Sequence, residues 1–274
     1  LEIIGNFFYD AVTGKPVARL YGDFNVSAGS RTQKIEYSKK SEASYKISRG
    51  LPSYMQTSYE NSCANIAGGI VVGYYDSFYD DLLPAYTAYS GGRWTAESSA
   101  TRNLIDTLYY DMKTNVYGGT TYENFKTGLS AYVARRGRNV SYGSLASENT
   151  LNFSAFESTV KNGKPVVLFV DRYNAISSIA QANGYDMMVT NYYSGNHTMV
   201  AYGYRNVEYY RTETKSVWPP VWYNPFRFVK ETEEVKYRTD RYINVRTVIS
   251  SLPDGYIRLY DSCTLDYALA VNIW

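Results

Sequence analysis

The sequence predicts an α+β fold, with a helical first half and an antiparallel, strand-rich second half. Two observations carry this. Between residues 63 and 80 the apolar residues Ile66, Ile70, Tyr74 and Phe78 recur every four positions, with Ala67 and Val71 beside them, which is one helical face. After residue 164 the periodicity shortens, and "KPVVLFVD", "HTMVAYGYRN", "GYIRLYDS" and "YALAVNIW" read as strands.

Residues 1–50 form a β-rich lead-in, set apart from the main domain at 51–274. In "FFYDAVTGKPVARLYGDF" two apolar runs flank the turn signal "TGKP", which predicts a hairpin. "VSAGSRTQKIEYSKKSEASYK" is polar and is expected to be a loop with short extended pieces. The segment could wrap the main domain or be the remnant of a prosegment. The helix predicted over 63–80 carries Gly68, Gly69 and Gly73, which lower helix propensity by up to ~1 kcal/mol each but permit close packing. A buried central helix follows, with Asn61 or Ser62 as N-cap. Further helices are expected at 95–114, at 122–137 with Gly137 just past the end, and at 151–163 with its Asn-Gly stop. Between the last two, "NVSYGSL" is a short strand. Segments 80–95, 172–184 and 212–240 are expected to be loops, the last holding "WPPVWYNP". No internal repeat is visible.

Composition narrows the function. The net charge is +2, and the basic runs "RRGR" and "RTETK" are short or interrupted by acid, so no nucleic-acid partner is implied. No apolar run reaches the ~20 residues of a membrane span. Thirty-one tyrosines supply amphipathic surface that suits a β-rich extracellular protein but specifies no ligand. The two cysteines, Cys63 and Cys263, are too few for a disulfide scaffold. His197 is the sole histidine, so any imidazole chemistry in the chain happens there, and a multi-His metal site within one chain is excluded.

Cys63 opens the predicted central helix in "ENSCANIAGG". A thiol there feels the positive end of the helix dipole, which favours the thiolate. A nearby imidazole would lower its pKa further. Against this, a cysteine beside a helix is most often core, and a histidine at a strand end is often structural.

"YMQTSYENSCANIAGGIVVGYYD" resembles the start of the C39-like family of papain-superfamily cysteine peptidases, in which a Gln precedes a Cys that opens a helix ending in a "GYYD"-like run. "VKNGKPVVLFVD" followed by "GNHTMVAYGYR" is similar to the family's second half, where the catalytic His begins a strand. "GYIRLYDSCTLDYALAVNIW" resembles its closing strands. The likeness covers roughly residues 50–274, though "CA" stands where "CG" is usual. It implies a papain-like fold, with a helical subdomain carrying the nucleophile helix packed on an antiparallel sheet. It implies a secreted or cell-surface bacterial peptidase acting on a peptide or protein substrate.

The roles implied follow from acyl transfer. Cys63 attacks the carbonyl. His197 holds the thiolate and protonates the leaving amine, and Asp261 orients His197. Gln56 and the Cys63 backbone N–H donate to the oxyanion. No metal or organic cofactor is required. Asn224 and Asp266 compete with Asp261 for the third role. Cys263 would share a strand face with Asp261, so a Cys63–Cys263 disulfide is an alternative state. A catalytically silent relative, binding a protein or glycan through tyrosine-rich loops, is the reading from another class.

Overall fold

The computed structural model describes residues 2–4, 7–9, 16–22, 26–217, 229–259 and 263–274. Five strands come first: β1 (Glu2–Ile4), β2 (Phe7–Tyr9), β3 (Pro16–Tyr21), β4 (Val26–Glu36) and β5 (Lys39–Lys46). Then follow α1 (Cys63–Asp76), the small hairpin β6 (Tyr89–Ser90) and β7 (Arg93–Trp94), and α2 (Ser99–Asp111). Next are β8 (Thr120–Thr121), α3 (Tyr122–Arg135), β9 (Val140–Ser144), β10 (Ala146–Ser147), β11 (Thr150–Leu151) and α4 (Phe153–Lys161). The chain ends in β12 (Val166–Ala182), β13 (Tyr185–Val217), β14 (Val229–Arg246), β15 (Asp254–Ile257) and β16 (Thr264–Ile273). The α+β class therefore stands: helices from the first half cover a large antiparallel sheet built mainly by the second.

α1 is buried along its whole length. Its three glycines explain how. A Cβ on Gly73 would lie 2.5 Å from the Tyr54 ring, and one on Gly69 would lie 2.8 Å from Ile105. The helix trades propensity for backbone contact with its neighbours. It packs against α2, α3 and β13 and stops at Asp76, four residues before the predicted end. There Asp76 turns its carboxylate back to accept from the Leu83 N–H at 2.7 Å.

The sheet is more extensive than the sequence suggests. "VSAGSRTQKIEYSKKSEASYK", expected as a loop with short extended pieces, instead forms two strands, β4 and β5, each paired with a different part of β13. Residues 26–46 thus belong to the main sheet. The expected loop at 172–184 is also strand: β12 runs to Ala182 and pairs with β13 from Tyr185 in a tight hairpin whose turn is Asn183-Gly184. Gly184 has φ of 80°, which this turn needs. Within 212–240, residues 212–217 and 229–240 are the paired arms of β13 and β14, while 218–228 lie outside the described residues.

β13 bends back over itself. Its first part pairs with β12 and β4, and its second with β14 and β5. Met188 from the first part and Val207 and Tyr209 from the second join Ile35, Ile176 and Tyr242 in a core separate from the one under the helices. Asp186, fully buried, accepts from Tyr209 Oη at 3.0 Å and from Lys40 Nζ at 3.0 Å, closing the fold-over. The predicted hairpin before β4 is present as the β2–β3 pair, with Phe7 opposite Arg19. Among the described residues no helix is long and apolar enough to cross a membrane.

Candidate functional site

Cys63 is the first residue of α1 and has no solvent exposure. The turn before it is fixed from outside the helix. Thr57 and Ser58 hydroxyls donate to Asp106 on α2 at 3.1 and 2.7 Å, and the Tyr59 ring stacks on Tyr109 at 4.2 Å. Asn61 takes a left-handed φ of 56°, and its amide donates to Asn115 at 2.8 Å. Ser62 does not cap α1 with its side chain. Its hydroxyl donates back to the Tyr59 carbonyl at 2.9 Å. No acidic residue occupies the first turn either. The first turn of α1 thus carries no carboxylate of its own, and the Ser62 hydroxyl is turned back toward the preceding turn.

His197 lies on β13 opposite Val170 of β12 and is also fully buried. Its Nε2 is 2.6 Å from the Thr247 carbonyl oxygen. A carbonyl can only accept, so Nε2 carries the proton, and in the neutral imidazole Nδ1 is the basic nitrogen. The ring is held flat as well. Tyr173 stacks on it at 5.3 Å with 15° between planes, and Tyr193 stacks on Tyr173 at 5.0 Å. Thr247 is itself pinned: its hydroxyl donates to the Leu252 carbonyl, and its N–H donates to Pro253.

Left-handed backbone marks three of these supports. Besides Asn61, Arg172 (φ 49°) precedes Tyr173, and Val248 (φ 59°) follows Thr247. A β-branched residue in that region is an outlier. Strain of this kind costs of order 1–3 kcal/mol and persists only where surrounding structure enforces it. It aims the Thr247 carbonyl at the imidazole.

The other predicted residues fall as follows. Cys63 and His197 are carried by α1 and β13, two elements that pack on each other. Gln56 is exposed and tied to α2: its carboxamide oxygen accepts from Arg102 at 3.0 Å, and its N–H donates to Glu97 at 2.8 Å. Asp266 accepts from Arg19 at 2.7 Å and from Tyr21 at 2.9 Å. Burial raises its carboxyl above the usual range despite these partners. Asp261 and Asn224 lie outside the described residues, as do all the aromatics of 216–226. Cys63 and Cys263 are not joined by a disulfide. Burial, with Asp266 and Asp171 nearby, pushes the Cys263 thiol up to about 12, so it holds its proton at neutral pH.

Sequence reasoning missed Thr247 and the Tyr173–Tyr193 stack. A backbone carbonyl has no side-chain signature, and two tyrosines among 31 do not stand out. Also unforeseen is the neighbour of the site: the Asn196 amide donates to the Leu20 carbonyl at 2.9 Å, which lays β3 beside His197.

Comparisons of the chain with protein-family models, curated proteins and solved structures returned no match.

Proposed function

We propose that this chain is a papain-like thiol hydrolase that cleaves peptide or amide bonds through an acyl-enzyme thioester. The observation that carries the reading is the pairing of supports: a thiol at an uncapped helix start, and a lone imidazole whose Nε2–H is engaged by the Thr247 carbonyl. Such an imidazole offers Nδ1 as base to a thiol. The orienting role that the resemblance gives to Asp261 is one the Thr247 carbonyl can fill. In this reading Cys63 attacks the substrate carbonyl, His197 carries the proton to the leaving amine, and the Cys63 N–H with Gln56 steadies the oxyanion. Since Cys63 and His197 are both fully buried, substrate entry requires an opening step. A bacterial protein, secreted or held at the cell surface, is the setting proposed with it. The same burial favours one competing reading, a silent relative that keeps the scaffold and binds a partner elsewhere.

The test is the pH profile of iodoacetamide alkylation at Cys63, followed by peptide mapping in wild type and His197→Ala. Burial slows the reaction and also raises a thiol's pKa, so the difference between wild type and His197→Ala, rather than either curve alone, reports the imidazole. A hydrolase site gives an inflection below about pH 6 that moves toward the free-thiol value, roughly 8.5, in His197→Ala. An inflection above pH 8 in both proteins, or no alkylation at all, would leave the silent-relative reading.

A further inference from the structure

A second cleft, on the far side of the sheet from α4, has the makings of a ligand site. Tyr204 and Asn206 of β13 face α4: the Tyr204 ring meets Phe153 at 6.3 Å, and Asn206 donates to Glu157 at 2.8 Å. Side chains alternate along a strand, so Gly203 and Arg205 face the other way. There the register lines up one row across four strands. Lys46 of β5 lies opposite Gly203, Gly203 opposite Asn244 of β14, and Asn244 opposite Tyr256 of β15. At Gly203 the β5 backbone approaches closely. A side chain there is barred, because a Cβ would sit 2.6 Å from the Tyr45 carbonyl oxygen. Beside this row lies a cleft of about 330 Å³, lined by Lys46, Asn244 and Tyr256 and walled by Glu42, Arg205 and Gln181.

One atom at this cleft calls for a partner. Asn244 is 2% exposed, and its Oδ1 is buried without a hydrogen bond. Buried acceptors are rarely left unmade, and a ligand in the cleft that carries hydroxyl donors would suit this one.

The charges narrow the class. Arg205 is paired with Glu42 by two bonds, at 2.7 and 2.8 Å, and that pair is neutral. The Lys46 ammonium stands 5.7 Å from the Tyr256 ring centre. An anion would meet Lys46 but bring no donor to Asn244. A cation would be repelled by Lys46, and an apolar group would strand the carboxamide. A neutral polyhydroxyl ring satisfies all of them: hydroxyls donate to Asn244 Oδ1 and Glu42, and a ring or hydroxyl oxygen accepts from Lys46, whose ammonium lies over the Tyr256 ring. We propose that this cleft binds a pyranose sugar unit. The proposal stands apart from the hydrolase reading and involves neither Cys63 nor His197.

The test is chemical-shift mapping on ¹⁵N-labelled full-length chain. The probes are methyl α-glucopyranoside, methyl α-mannopyranoside, methyl β-galactopyranoside and the methyl glycoside of N-acetylglucosamine, each titrated to about 50 mM, with acetate and inorganic phosphate as anion probes. Single-sugar contacts give millimolar dissociation constants, worth about 4 kcal/mol. The expected result is saturable movement of the Asn244 side-chain amide and the Gly203 N–H with at least one glycoside. Asn244→Leu should weaken that binding about tenfold. Failure of every glycoside to move those resonances in the wild-type protein overturns the proposal, whether or not the variant folds. So does movement by acetate or phosphate alone.

Discussion

Gly73→Ala separates what helix propensity expects from what packing dictates. Judged by propensity, the change should stabilise α1 by up to ~1 kcal/mol. The structure reverses the sign. The new Cβ would lie 2.5 Å from both a ring carbon and the hydroxyl oxygen of Tyr54, which has no solvent exposure and no room to withdraw. Overpacking a closed core costs typically 1–3 kcal/mol. The net expectation is a loss of about 1–2 kcal/mol, read as a lower urea midpoint with an unchanged slope. Gly68→Ala is the internal control. Its Cβ would meet the terminal methyl of Met112 at 2.9 Å, the far end of a flexible chain, so the loss should stay below about 1 kcal/mol. Tyr54→Leu should relieve the Gly73→Ala clash, so the double variant loses less than the two single losses added. A Gly73→Ala protein as stable as wild type would refute the argument that glycine is required where α1 meets Tyr54.

Two further outcomes follow from buried charge. Burial raises the Asp76 carboxyl from 3.8 to about 6, so the folded state binds the proton more tightly than the unfolded chain. That contribution is fully present below about pH 4 and is lost as pH rises through 6. Asp76→Asn should therefore stabilise the protein at pH 7 by on the order of 2 kcal/mol, with the gain fading below pH 4 in urea melts at both pH values. At the fold-over, Lys40→Ala leaves Asp186 buried beside only tyrosine hydroxyls and should cost about 3 kcal/mol in denaturant unfolding. Lys34→Ala removes an exposed, solvent-screened pair with Glu36 and should leave the urea midpoint essentially where it is.

Much of the first half was legible because its signals are local. The four-residue period at 66–78 and the Cys63 start locate α1, and the helices at 99–111, 122–135 and 153–161 lie inside their predicted spans. Each true end falls short of the pattern, since caps and turns stop the helix before the apolar face runs out. The second half was less legible. Asn183-Gly184 is a strong hairpin signal, yet 172–184 reads as a loop because β12 beyond Asp171 mixes polar residues with apolar ones. The polar strands β4 and β5 were missed for the same reason: they are mostly exposed, and their place in the sheet comes from pairing with β13 rather than from burial.

The sequence by itself determined which residues can do chemistry here: one imidazole, two thiols, and a helix beginning at one of those thiols. Periodicity and helix-end chemistry act over a few residues, so they can be read along the chain. Tertiary structure alone decided the rest. It supplied the Thr247 carbonyl that takes the imidazole proton, 50 residues away along the chain. It laid β3 beside His197 through a contact spanning 176 residues. It set Gly203, Asn244 and Tyr256 in one row by strand register. These are relations between distant backbone segments, and strand pairing fixes them through hydrogen bonds that every residue type can make, so no residue type announces them.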